Sequence, residues 1–266
     1  DDSARRYLGV AAQGRSHKVV MLKVYLALLA AAERLWNENG GPVAGNPADP
    51  YMTLLGYFSS LRELGNARRI VEDEVTNRLR GYASRTRAGQ RPDFASRSIG
   101  AVCELTSRES MTNISAAKAA LASAHWSKSL EAEHPPVDVA LATNMISVGL
   151  DITRLGLMVV LGQPKMAAEY IQATSRVGRA APGLVLTVYN WARPRDLSHY
   201  ECFGHYHATF YQHVEALSVT PFSPGALQRG LAALLVALVR LSGRAFAGNR
   251  GAEAIKRTDA PVQAAL

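Results

Sequence analysis

Apolar and polar positions divide this chain into three stretches. Residues 18–36 mix apolar runs with Lys23, Glu33 and Arg34, a spacing that predicts one helix. It runs into Gly40-Gly41-Pro42 and then Asn46-Pro47-Ala48-Asp49-Pro50, strong breakers that predict a boundary. From residue 51 the pattern becomes short, contiguous apolar runs: MTLLGYF (52–58), IGAVCEL (99–105), VDVALAT (137–143), LMVVL (157–161) and LVLTVY (184–189). These read as five buried strands, with helices expected at 61 to about 80, 116 to about 128 and 166 to about 177. Strands without polar alternation, interleaved with helices, predict an α/β fold with a parallel sheet covered on both faces. Ligands on such sheets gather at the carboxyl ends of the strands. Beyond Pro194 the pattern is helical, over 197–217 and 226–246. Three segments are therefore expected: a helical segment and linker (1–50), the α/β domain (51–195) and a helical extension (196–266).

Composition narrows the function classes. With 266 residues and 48% hydrophobic content, the chain suits one α/β domain plus a smaller appendage. The formal net charge of +8 favours a polyanionic partner or an anionic membrane surface. Two distant cysteines, Cys103 and Cys202, exclude a disulfide framework or a zinc cluster and fit a reducing cytoplasm. The longest clean apolar run, 231–239, is well short of the roughly 20 residues of a membrane span. No apolar signal core follows the opening Asp1-Asp2-Ser3-Ala4-Arg5-Arg6, whose abrupt start reads as the interior of a longer, cytoplasmic protein without a membrane partner.

Two segments carry candidate chemistry. In Gln172-Ala173-Thr174-Ser175-Arg176-Val177-Gly178-Arg179, the residues Gln172, Arg176 and Arg179 stand at i, i+4 and i+7. A helix would present all three on one face, two guanidiniums and an amide suited to phosphate oxygens. The plainer alternative is a solvated basic helix face. The second segment, 142–152 (ATNMISVGLDI), follows a predicted strand. Thr143 and Asn144 would sit at its carboxyl end, Gly149 permits close approach, and Asp151 could accept from a ribose hydroxyl. An ordinary strand-to-loop turn with Asp151 as a cap is equally open.

Together, Ala-Thr-x5-Gly-Leu-Asp-Ile and, some twenty residues on, Gln-x-x-Ser-Arg-x-Gly-Arg resemble motifs V and VI of superfamily 2 helicases, in order and separation. Tyr57-Phe58-Ser59-Ser60-Leu61 resembles the looser motif IV, and Leu105-Thr106-Ser107-Arg108 an accessory strand-end motif. The resemblance covers residues 51–195 and implies the second RecA-like domain of such motors. On it, Arg179 takes the place of the arginine finger, with Arg176 as a second phosphate ligand or a link to the facing domain. Gln172, Gly149 and Asp151 would lie near the nucleotide. Thr143, Asn144, Thr106, Ser107, Arg108, Ser59 and Ser60 would hold nucleic-acid phosphates. More narrowly, 140–222 resembles the helicase component of DISARM-type bacterial anti-phage systems, through EYIQATSRVGR, Pro194-Arg195-Asp196-x-Ser198-His199-Tyr200-Glu201 and Ser218-Val219-Thr220-Pro221-Phe222. That implies DNA (single-stranded or junction, RNA remaining open), ATP with Mg²⁺, other defence-system subunits as partners, and a bacterial cytoplasm.

Other features temper this picture. No GxxxxGK[ST] phosphate loop occurs, and Asp73-Glu74 lies in a predicted helix rather than at a strand end. The Mg²⁺-ATP cradle is therefore expected on a first RecA-like domain outside this chain, and the chain alone is expected not to hydrolyse ATP. Between Asn77 and Gly100, six arginines face one acid, Asp93, which reads as a solvated loop or a phosphate-contacting arm. His199, His205, His207 and His213 lack a clean metal-binding spacing and read as packing residues. Two rivals remain: an adaptor that keeps the fold and binds nucleic acid without motor activity, and a translocase that moves on duplex without unwinding it.

Overall fold

The computed structural model describes residues 5–84, 93–127, 135–143, 151–212, 214–215, 220, 222–241 and 244–265. Two compact units result, Asp1–Glu215 and Ala216–Leu266. The first is built on a six-stranded sheet of β1 (Arg5–Ala11), β2 (Leu54–Phe58), β3 (Val102–Leu105), β4 (Val139–Ala142), β5 (Leu157–Leu161) and β6 (Gly183–Tyr189). Its order is β1-β6-β5-β2-β4-β3, and every pairing is parallel. The five apolar runs of the sequence are β2 to β6. β1 is an additional strand in the segment expected to be a helix and linker, pairing in register from Arg5 with Gly183 to Ala11 with Tyr189.

The two-residue period of a strand explains why these runs have no polar gaps. Leu54 and Phe58 of β2, Leu157, Val159 and Leu161 of β5, and Leu186 and Val188 of β6 face one apolar cluster; Leu55, Tyr57, Met158, Val160 and Val185 face another. The first cluster is closed by α1 (His17–Glu38) and by the helical stretch α2 (Leu61–Arg69), a π-helical turn (Ile70–Val75) and α3 (Thr76–Leu79). Onto the second face pack α4 (Met111–Ala122), α5 (Ala167–Thr174) and, after α6 (Pro194–Glu201), α7 (Phe203–Thr209). At Gly56 α1 comes close to the sheet. The fully buried Tyr25 sets its hydroxyl against it, so that a Cβ there would collide, and this hydroxyl has no hydrogen-bond partner among the described residues.

Loops are tied down by buried polar groups. Asp138, fully buried at the start of β4, accepts from Arg97 Nη2 (2.7 Å) and from the backbone N–H of Gly100 (2.7 Å) and Ala101 (3.1 Å). Arg97 Nη2 also donates to the Met52 carbonyl at 2.6 Å. Arg97, expected in a solvated loop or a phosphate-contacting arm, is thus a buried structural cation, because its carboxylate partners, Asp138 (2.7 Å) and Glu33 (3.6 Å), lie far from it in the sequence. Arg85, Arg87 and Arg91 of that run lie outside the described residues. Arg195 donates to the carbonyls of Gln163 (3.0 Å), Pro164 (2.7 Å) and Lys165 (2.6 Å), while Asp196 accepts from Asn190 N at 2.9 Å. These bonds bind the loops after β5 and β6 to each other.

His207 sits among Tyr170, Phe203 and Phe210. Its Nδ1 faces the Phe203 carbonyl (2.9 Å), so Nδ1 donates and Nε2 accepts from Tyr170 Oη (3.0 Å). Burial pulls its pKa below the ordinary histidine value, keeping the ring neutral.

The second unit contains α8 (Pro224–Leu241) and α9 (Ala260–Ala265). Arg240, at the end of α8, donates to the carbonyls of Phe246 (3.1 Å) and Gly248 (2.9 Å). The apolar stretch of α8 is longer than the 231–239 run. At 18 residues and mean hydropathy 1.3, it reaches the length and composition of a membrane span, with Arg229 and Arg240 within it.

Candidate functional site

The structure sorts the described candidate residues into two places. Arg176 and Arg179 were expected on a helix with Gln172, but α5 ends at Thr174 and Gln172 alone of the three is helical. The chain turns because Gly178 adopts φ 72°, a left-handed conformation reserved for glycine, and any Cβ there would press on Gly183. Gly178 N then donates to the Leu155 carbonyl (2.9 Å) and Ala180 N to that of Thr153 (3.3 Å). The arginine loop is thereby fastened beside the amino-terminal ends of β5 and β6, not their carboxyl ends.

Within that loop Arg179 Nε donates to the Ser175 carbonyl (3.0 Å), and its Nη1 forms an ion pair with the exposed Asp151 carboxylate. Arg176 is pulled below the ordinary arginine pKa, first by desolvation and then by the charge of Arg179, while Asp151 opposes the shift. Arg176, Arg179 and Asp151 are therefore electrostatic neighbours on the surface of the unit. Three residues beyond Asp151 the chain is anchored by Arg154, which donates to Asp49 Oδ2 (3.2 Å), Thr53 Oγ1 (2.6 Å) and the Leu121 carbonyl (3.2 Å). Asn144 and Gly149 lie outside the described residues.

One residue of this loop's support is absent from the motif reading. Arg5, first residue of β1, donates from Nε to the Val177 carbonyl (2.7 Å) and from Nη2 to that of Ser175 (3.3 Å). The Arg5-Arg6 pair at the head of an apolar Tyr-Leu-Gly-Val run was the only available signal.

The remaining candidates line the carboxyl ends of β2, β3 and β4. Ser59, Ser60, Ser107 and Arg108 are exposed, whereas Thr106 and Thr143 are buried. Ser60 caps α2, its Oγ accepting from Glu63 N at 3.3 Å. Thr106 donates its hydroxyl to Glu104 at 2.6 Å, so its side chain faces inward instead of toward a ligand. Glu104 also receives Arg108 through two bonds (2.5 and 2.8 Å) and Arg68 at 3.2 Å. Arg108 above all, with Thr106 and Arg68, holds the Glu104 carboxyl down at about 2.

Glu104→Gln is expected to cost roughly 2 kcal/mol at neutral pH, because the buried Thr106 hydroxyl and two half-exposed guanidiniums then meet a neutral amide in place of a carboxylate. The carboxylate's folded pKa lies below its ordinary 4.5, so its contribution is complete above that value and fades as pH falls toward 2. Urea unfolding of both proteins across that range checks this; a difference independent of pH refutes the assignment.

The comparisons with known proteins bear on this arrangement. Residues 99–181 match the helicase conserved C-terminal domain family. Over that stretch the chain is similar to a helicase C-terminal domain. Over 255 residues it is 44% identical to the DISARM protein DrmA of Bacillus paralicheniformis, covering 96% of this chain and 21% of that protein. The chain thus spans about a fifth of the length of this curated relative. Among solved structures, the DUF1998 helicase MrfA bound to DNA aligns with a TM-score of 0.52 at 14% identity, over 88% of this chain and 26% of that one. Mycobacterium smegmatis helicase Lhr, bound to ssDNA and AMP-PNP, aligns at 0.46 and 13% identity, over 90% and 25%. The alignment with MrfA supports a RecA-like fold for this chain.

Proposed function

We propose that the chain is a helicase C-terminal domain, the second half of an ATP-dependent DNA motor acting in bacterial anti-phage defence. The observation that carries this reading is the division of labour across the sheet. A guanidinium loop lies at the amino-terminal ends of β5 and β6, and a polar row with one guanidinium, Arg108, at the carboxyl ends of β2 and β3. One surface can meet a nucleotide held by a facing domain while the other follows a phosphate backbone.

The residues present fit a polyphosphate. Arg179 already holds one oxyanion, the Asp151 carboxylate, and phosphate oxygens are equivalent acceptors for the same fork. Arg176 lies beside it, and the Gln172 amide is exposed one turn before. When bound, ATP supplies the phosphoryl group whose transfer to water powers opening and closing of the domains. On the other surface, Ser59, Ser60, Ser107 and Arg108 hold strand phosphates, with Thr143 and Thr106 supporting the backbone beneath them. Mg²⁺ and the remaining phosphate ligands belong to the facing domain.

Full-length protein is expected to hydrolyse ATP in a DNA-stimulated manner, whereas residues 1–266 alone show no turnover. Hydrolysis by the isolated chain, or a full-length enzyme indifferent to every DNA and RNA tested, refutes the reading. A strand-displacement assay then separates unwinding from translocation along duplex.

A further inference from the structure

A second cationic surface adjoins the row at the strand ends. In α2, Arg62, Asn66 and Arg69 stand at i, i+4 and i+7, so they form one stripe along the helix. This stripe lines two grooves. One, of about 470 Å³, lies toward Arg108; the other, of about 500 Å³, lies toward α1, where Lys18 and Lys23 form its far wall. Asn66 and Arg69 belong to both, so the grooves are continuous.

Charge distinguishes this surface from an ordinary solvated helix face. The acids lining it are already paired: Glu72 with Arg68 at 2.9 Å and Glu74 with Arg78 at 2.8 Å. Glu63, beside them, reaches Arg193 at 3.5 Å. Lys18, Lys23, Arg62 and Arg69 are all exposed and form no ion pair among the described residues. Four uncompensated cations along connected grooves attract a polyanion. Arg62 and Arg69 are seven residues apart, about 10 Å of helix. That is the axial reach of about three phosphates of one DNA strand at 3.4 Å each. The first turns of α1 and α2, which carry Lys18 and Arg62, follow directly from β1 and β2, so the surface begins at the carboxyl edge of the sheet.

We infer that the α1–α2 grooves form a secondary DNA-backbone site, continuing the path that starts at Ser60 and Arg108 and gripping phosphates through Lys18, Lys23, Arg62 and Arg69. This rests on the reading of the domain as part of a DNA motor. Contacts here are to phosphate, so they lengthen the occluded stretch of DNA and add salt dependence without sequence preference.

The test uses the full-length protein with all four residues changed to glutamine, and a control carrying Lys256→Gln and Arg257→Gln in the second unit. All the substituted side chains are exposed, and matching thermal melts verify folding. Binding of single-stranded oligonucleotides of increasing length is measured across salt concentrations. Each lost phosphate contact flattens the slope of log K against log salt by about 0.7. The quadruple variant is expected to lose roughly two to three in slope, to bind long oligonucleotides at least tenfold more weakly at low salt, and to occlude fewer nucleotides. The control keeps the wild-type slope. Wild-type protein that binds DNA alongside a quadruple variant with unchanged slope and footprint overturns this site alone. Wild-type protein that binds no nucleic acid overturns the motor reading and this inference together. Selective loss of binding to polyglutamate while DNA binding stays intact overturns this site alone, since it would make the grooves a protein-docking surface.

Discussion

Arg179→Ala in the full-length protein is expected to lower DNA-stimulated ATP turnover about a thousandfold or more, the usual contribution of an arginine finger to phosphoryl transfer. Nucleotide and DNA binding should change far less, since the guanidinium matters most as charge develops on the transferred group. Collapse of the fold cannot account for such a loss. The ion pair that Arg179 makes is with an exposed carboxylate, and surface pairs of that kind contribute about 1 kcal/mol at most. Arg179→Lys restores charge without the planar fork and should recover only a small part of the rate. Single-turnover hydrolysis at saturating ATP and DNA measures this; a variant within tenfold of wild type sinks the finger assignment. Asp151→Ala supplies an internal check, because it frees Arg179 and should leave the finger in place.

The second large effect is on stability. Asp138→Ala removes the carboxylate that holds the buried Arg97 and accepts two backbone N–H groups. Breaking a buried ion pair costs about 3–5 kcal/mol; Arg97 keeps Glu33 at 3.6 Å, which puts its share at the lower end, and the two orphaned amides add to this. Domains of this size are stable by only about 5–15 kcal/mol, so much of the chain's margin disappears. Chemical denaturation of the chain should show a large drop in midpoint. A change below 1 kcal/mol would mean that the loop before β3 is not anchored through this group.

The legibility of the sequence tracks how local each signal is. β2, β4 and β5 announced themselves because both of their faces are buried, leaving no polar residue to interrupt the run. β1 stayed hidden because it is an edge strand beginning with two arginines, only partly buried, and its strand character comes from pairing with β6 at the far end of the sheet. Strand-end residues such as Ser107 and Arg108 were readable from their position after a run. The geometry of Arg179 was not: spacing suggests a helix, but the Gly178 turn and the grip of Arg5 decide where its guanidinium goes. Arg97 was misjudged for the same reason, since only the folded chain brings Asp138 to it.

Arg195 and Asp196 knit the loops after β5 and β6 into one block, and α5 starts from that block with its first N–H groups received by Glu215. A push delivered at the far end of α5 therefore meets a stiff lever, not a hinge. On the motor reading proposed above, strain arising near Arg179 is resisted by this braced block, and bending falls instead on the chain that joins it to a facing domain.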